Sequence, residues 1–169
     1  HLCISRQTEN IVKNVLKDHP KEDWAVKYVP HGIEEKKIFP IINDLKFESF
    51  KNDLLDNEEF DFVVLWNSRN IRRKNASDII IAWRTFLDQL SVEQAKKCCL
   101  LMHTDPVDDN GTDLPAVIET VCDPKIHKVK FSSNKLGDQG MNYLYNCSDA
   151  HMFFTDNEGW GLGLTESLT

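Results

Sequence analysis

The run His151-Met152-Phe153-Phe154-Thr155-Asp156-Asn157-Glu158-Gly159-Trp160-Gly161-Leu162-Gly163-Leu164-Thr165-Glu166 carries the strongest structural signal in the chain. An apolar segment enters a glycine-rich turn and leaves it as the opening of a helix, the layout of a strand, a tight loop and a helix start. Glycines allow close backbone approach to a ligand, and the first N–H groups of a helix lack intrahelical acceptors and favour an anion such as a phosphate. Glu158 stands in the loop and Glu166 about two turns beyond it, each able to accept hydrogen bonds from hydroxyls flanking that phosphate. A phosphate with sugar hydroxyls on both sides describes a nucleotide sugar.

The same strand-to-helix alternation repeats upstream. Phe60-Asp61-Phe62-Val63-Val64-Leu65-Trp66 is the best strand by its β-branched and aromatic content, and a loop over 67–75 carries it into a helix over about 76–90. A strand at 98–102 precedes a helix near 114–121, and a strand at 128–131 precedes one near 140–146. Leu2-Cys3-Ile4 leads into a helix over about 8–17 with Ile11, Val12, Val15 and Leu16 on one face, closed by Pro20. Ala25-Val26-Lys27-Tyr28-Val29 reads as a second strand running into Pro30-His31-Gly32, with a weak helical pattern near 47–55 beyond it. Apolar strands alternating with helices predict an α/β class, a doubly wound Rossmann-like parallel sheet whose ligand crevice lies at the carboxyl ends of the strands.

Composition narrows the partners. With 169 residues and 41% hydrophobic content, the chain has enough apolar material for one packed domain. A net charge of -7 argues against a nucleic-acid or anionic-membrane surface, so an anionic ligand must be met by a local basic site. Cys3, Cys98, Cys99, Cys122 and Cys147 have neither zinc-site spacing nor an even count, which fits reduced, buried thiols in a cytoplasmic protein. No apolar run reaches membrane-spanning length, and no signal segment opens the chain. His1 is no initiator and 169 carries no helix stop, so the chain reads as a piece of a longer polypeptide.

The strong basic cluster is Arg69-Asn70-Ile71-Arg72-Arg73-Lys74, in the loop leaving the best strand. Charge alone is compatible with a solvated loop; pointed into the crevice, Arg69 and Lys74 would each make charge-assisted hydrogen bonds to a diphosphate worth about 1.5–3 kcal/mol. Asn67-Ser68-Arg69 followed by Lys74, together with Glu158 and Glu166 around Gly-Trp-Gly-Leu, resemble the two signature loops of the retaining glycosyltransferases of family 4. Those enzymes read Gly-Arg, a few residues and Lys-Gly after one strand, and Glu-Gly-Phe-Gly-Leu, three residues and Glu after a later one. Ile4-Ser5 before a helix, Val29-Pro30-His31-Gly32-Ile33, Leu144-Tyr145 before Ser148-Asp149, and Thr155 ahead of Glu158 extend the resemblance over nearly the whole chain.

The resemblance implies one half of a GT-B glycosyltransferase: residues 1–33 as a hinge-side strand and helix, residues 34–169 as a nucleotide-sugar donor-binding domain truncated at its carboxyl end, and an amino-terminal acceptor domain outside the chain. It implies Arg69, Lys74 and Glu158 as catalytic residues, with the two cations on the diphosphate and Glu158 on hydroxyls of the transferred sugar. It further implies donor-binding roles for Glu166 on the ribose, for Gly159, Trp160, Gly161 and Leu162 in the phosphate cradle, and for Gly32 at the hinge. It also implies a nucleoside-diphosphate sugar as donor substrate with no tightly bound cofactor or metal, and leaves open whether the acceptor is a glycan, lipid or protein. A membrane-peripheral placement stays open for a full-length enzyme. The alternative is a non-catalytic nucleotide- or carbohydrate-binding or interaction module of the same fold. A phosphorylase is disfavoured because no lysine for pyridoxal phosphate is evident.

Four positions depart from the family pattern: Ser68 and Asn75 stand where glycine is usual, Trp160 where phenylalanine is common and Gly163 where proline is. Asn tolerates left-handed backbone, so the change at 75 is mild. His31 faces either the cleft or solvent, while His103 and His151 read as packing or strand-edge residues. The 105–113 loop does not fit a calcium site, since placing Gly111 at the required glycine puts Pro106 and Val117 in ligand positions; it reads as solvated.

Overall fold

A computed structural model describes residues 1–19 and 25–169. Six strands and seven α-helices are found among them: β1 Leu2–Cys3, α1 Arg6–Val15, β2 Lys27–Tyr28, α2 Leu45–Leu54, β3 Phe62–Asn67, α3 Ala76–Leu87, α4 Val92–Ala95, β4 Cys98–His103, α5 Leu114–Val121, β5 Lys128–Ser132, α6 Asp138–Asn146, β6 Ala150–His151 and α7 Leu162–Glu166. The main sheet is parallel throughout, in the order β5-β4-β3-β6.

Both faces of that sheet are covered, as continuous apolar strands require. Val64, Trp66, Leu100 and Met102 point to one face and pack with Ile79, Ile80, Trp83 and Leu87 of α3 and with Leu114 of α5. Their neighbours along the strands, Val63, Leu65, Cys99 and Leu101, alternate to the opposite face and meet Phe47 of α2 and Tyr143 and Leu144 of α6. The indole N–H of buried Trp83 donates to Lys128 O at 3.2 Å, which ties α3 to β5.

The strand order reverses between β3 and β6: β4 and β5 are added on one side of β3, then β6 on the other. Such a reversal opens a crevice at the carboxyl ends of the two strands that flank it, β3 and β6. Only two residue pairs hold β6, Val64↔Ala150 and Leu65↔His151. Asp149 reinforces them: its carboxylate accepts from Val63 N at 2.7 Å and its own N–H donates to Val63 O at 2.8 Å. The expected strand over 150–154 therefore stops at His151, after which Met152 N still donates to Leu65 O.

Two expectations near the amino end need correction. β1 and β2 pair with each other in a separate two-stranded parallel sheet instead of joining the main one; at two residues each they offer little ladder to extend. The apolar face expected for α1 is not buried either, with Ile11 55% and Val15 70% exposed. Its buried residue is Glu9, which accepts from Arg6 and Lys13 at 2.9 Å each, while the Arg6 guanidinium lies 4.3 Å from the Tyr28 ring centre. The helix stop expected at Pro20 lies outside the described residues. All five cysteines are buried and free, and no helix among the described residues is long and apolar enough to cross a membrane.

Leu101 is fully buried at the centre of the sheet, so Leu101→Ala removes packed volume with little room for collapse. We expect a loss of about 2–5 kcal/mol in chemical denaturation. A loss under about 1 kcal/mol, in the range of an exposed position, would contradict the central placement of β4.

Candidate functional site

A cleft of about 350 Å³ opens at the β3–β6 reversal, lined by His31, Asn67, Ser68, Lys74, Phe153, Glu158, Trp160, Gly161, Leu162, Gly163 and Glu166. The cleft is framed by the end of β3 on one side and the start of α7 on the other. Asn67 ends β3, and a 3-10 turn over Arg72–Lys74 positions the lysine. Asn75 then takes left-handed backbone (φ 51°, ψ 41°) and starts α3, the geometry for which asparagine is second to glycine.

On the other side, Gly161 has φ +87° and begins α7, and a side chain there would stand 3.3 Å from the Phe153 ring. The positive φ is what favours glycine at 161, and the Phe153 ring leaves a side chain there only a tight fit. The amides that open α7, beginning at Leu162, have no intrahelical acceptor, and Gly161, Leu162 and Gly163 line the cleft.

The two loops are bound together. Arg73 O accepts from Asp156 N at 2.9 Å and from the Thr155 hydroxyl at 3.2 Å, Arg73 Nη1 donates to Asn157 O at 2.7 Å, and Asn75 Nδ2 donates to Asp156 Oδ1 at 2.9 Å. Lys74 Nζ donates to Glu158 Oε1, which also receives Arg73 at 3.2 Å, and the same ammonium lies 5.4 Å from the Phe153 ring centre. Burial pushes the Glu158 carboxyl up, but the hydrogen bond and charge of Lys74 and the charge of Arg73 outweigh it and hold the group below the usual carboxylate range.

Glu166 is half-buried and accepts from the Tyr145 hydroxyl at 2.6 Å; that hydroxyl in turn accepts from Asn67 Nδ2 at 2.9 Å. Burial and the adjacent Glu166 carboxylate raise the Tyr145 phenol, so it stays protonated and donating. Trp160 meets His31 edge to face at 6.0 Å between ring centres, so the histidine, itself exposed, stands at the rim of the cleft.

Lys74, Glu158, Trp160, Gly161, Leu162 and Glu166 thus share one cleft. Arg69 does not join them. Its guanidinium is 63% exposed and held by Asp108 at 2.7 and 3.2 Å, an ion pair that pulls the Asp108 carboxyl down to about 2, chiefly through the hydrogen bond from Arg69. Gly159 stands outside the lining, against Ile4, and Gly32 is exposed with open space where a side chain would go.

The 105–113 loop is largely exposed, as expected, but it is anchored. The buried Asn70 amide donates to the carbonyls of Asp105, Pro106 and Thr112 and accepts from Thr112 N, and a side chain on Gly111 would overlap Asn70 O. No group of three or more potential metal-ligating side chains occurs among the described residues. A larger groove of about 620 Å³ runs along the β5 edge, where Lys130 is already paired with Asp56 and Glu58.

Sequence reasoning missed Asn67 and Tyr145 as a pair and Asn70 as a loop anchor. Their partners lie 35 to 78 residues away, beyond the reach of any local pattern.

No protein-family model matches the chain, and no curated protein matches it in sequence. Solved structures do match in fold. Sucrose-phosphate synthase from Thermosynechococcus elongatus superposes with a TM-score of 0.65 at 16% identity, over 99% of this chain and 37% of its own. The amino-terminal domain of trehalose-6-phosphate phosphatase from Candida albicans gives 0.72 at 12% identity, over 99% and 40%. A trehalose-6-phosphate structure from E. coli bound with UDP-2-fluoro glucose gives 0.63 at 13% identity, over 99% and 42%. The fold is the parallel α/β architecture of a GT-B glycosyltransferase domain. The chain spans about two fifths of the length of these structures.

Because Glu158 titrates low in the folded chain, its pairing with Lys74 contributes stability above the unfolded carboxyl pKa of about 4.3 and loses it as pH falls through the lower folded value. Carbon-13 NMR titration should place Glu158 below the ordinary range in the wild type and higher in Lys74→Ala, where burial is left less opposed. An identical midpoint in both proteins would contradict the ion pair.

Proposed function

We propose that the chain is the donor-binding half of a glycosyltransferase that moves a sugar from a nucleoside diphosphate to an acceptor hydroxyl with retention of configuration. One observation carries this reading: Lys74, Glu158 and Glu166 line a single cleft at the strand-order reversal, beside the glycine-started helix α7. The motif resemblance to family 4 and the fold likeness to sugar-phosphate synthases point the same way, and one of the matched structures holds a UDP-sugar analogue.

In this reading Lys74 exchanges Glu158 for the diphosphate, and the amides of Gly161 and Leu162 take up the remaining phosphate oxygens. Fixed positive charge aimed at the departing diphosphate lowers the barrier, because negative charge grows there as the sugar–oxygen bond breaks. Glu158, released from the lysine, accepts from hydroxyls of the transferred sugar, and Glu166 accepts from the ribose. Arg69 takes part only if Asp108 releases it. The acceptor is held across the cleft by a separate amino-terminal domain, so the chain alone binds donor weakly and transfers little or nothing.

The second reading is a non-catalytic binding or interaction module. The Arg69–Asp108 pair favours it, since it withholds a cation from the cleft, and one matched fold belongs to a protein named as a phosphatase. Titration with UDP, ADP and GDP separates the two. We expect at least one to bind the wild type, with Lys74→Ala and Glu166→Ala each weakening it about tenfold or more, the effect of losing a charged hydrogen bond. No binding by the wild type, or equal binding by all three proteins, would contradict the donor-site reading and favour the interaction module.

A further inference from the structure

Three elements that surround the cleft meet at one phenol. Tyr145 projects from α6 and is 7% exposed; Asn67 comes from the end of β3 and Glu166 from the end of α7. A carboxylate can only accept and the asparagine Nδ2 can only donate, so the phenol proton has one direction to point. Asn67 Nδ2 gives to Tyr145 Oη at 2.9 Å, and Tyr145 Oη gives to Glu166 Oε2 at 2.6 Å.

Both hydrogen-bonding capacities of the buried hydroxyl are thereby used, as a buried polar group requires. The edge of the His151 ring, 6.2 Å away between ring centres, closes another side of the Tyr145 ring. The consequence falls on Glu166. One carboxylate oxygen is fixed by the phenol, while Oε1 has no partner among the described residues and the residue lines the cleft.

We propose that Tyr145, oriented by Asn67, is the positioning residue of the donor site: it fixes the Glu166 carboxylate so that the free oxygen accepts from the ribose of the ligand. Tyr145 does not line the cleft and acts through Glu166. A glutamate carries three side-chain torsions, and an unheld carboxylate at a half-exposed helix end spreads over several rotamers. Clamping one oxygen removes that freedom before the ligand arrives, so less of the new hydrogen bond is lost to ordering. The α6 and β3 ends, both anchored in the main sheet, hold the clamp more firmly than short α7 holds its own side chain.

This inference rests on the nucleotide-binding reading given above, and the test separates the two. Dissociation constants of UDP, 2′-deoxy-UDP and pyrophosphate are measured by calorimetry for the full chain and for Tyr145→Phe, Glu166→Ala and the double variant. In the wild type, UDP should bind about tenfold or more tightly than 2′-deoxy-UDP. Tyr145→Phe should reduce that ratio to about twofold while pyrophosphate affinity stays within about twofold, and the double variant should match Glu166→Ala alone, because the phenol acts only through the carboxylate.

A merely structural tyrosine would weaken all three ligands together and leave the ratio intact, which would overturn the proposal. So would a wild type that binds UDP and 2′-deoxy-UDP equally. Binding of no ligand by the wild type would instead overturn the nucleotide reading itself. Should Tyr145→Phe fail to fold by circular dichroism, Asn67→Ala, which leaves the phenol in place but without its orienting donor, is expected to lower the ratio partway; an unchanged ratio there contradicts the proposal.

Discussion

Two residue pairs and the carboxylate of Asp149 hold β6 against β3, and beyond His151 the chain leaves the sheet. What keeps the following segment over the strand ends is its bonding to the basic loop: Asp156, Asn157 and Glu158 each meet Arg73, Lys74 or Asn75. Without those bonds the glutamate loop would have little to fix it, since short parallel pairing contributes little by itself and an exposed glycine-rich turn has high conformational entropy. The cleft is therefore a product of two loops holding each other, with Lys74 and Glu158 at the centre.

That arrangement has a chemical consequence. The cation best placed for an anionic ligand is already neutralised by the carboxylate beside it, and a ligand must offer more than Glu158 does. A diphosphate meets this condition, bringing more charge and more acceptor oxygens than the carboxylate. A neutral sugar would gain nothing from displacing the pair. On the proposed reading the cleft takes up an anion even though the chain as a whole carries a net charge of -7.

The interior strands were legible because burial on both faces leaves a local signature. β3 and β4 are apolar along their length, and α5 runs from an Asp113 cap, whose carboxylate accepts from Ala116 N, to Val121 as the pattern implies. β6 was overread because the apolar run continues to Phe154, yet Phe153 is used as a ring beneath Gly161 and Lys74 rather than as a strand residue. The α1 stripe is a true amphipathic pattern, yet Ile11 and Val15 on it stay exposed, and periodicity says nothing about what covers a face. α4 is only four residues long, although its Ser91–Gln94 capping box was readable in principle. At the site, the glycine, lysine and glutamate positions were legible as spaced motifs. The diversion of Arg69 to Asp108 and the chain from Asn67 through Tyr145 to Glu166 depend on partners far away in sequence.

The central claim is that one cleft exchanges its internal ion pair for a diphosphate, and a crystal structure of the chain with UDP bound tests it most directly. The account predicts the diphosphate between Lys74 and the amides of Gly161 and Leu162, with Glu158 turned away from the lysine and a ribose hydroxyl on Glu166. UDP seated elsewhere on the surface, or bound while Lys74 still holds Glu158, would contradict it.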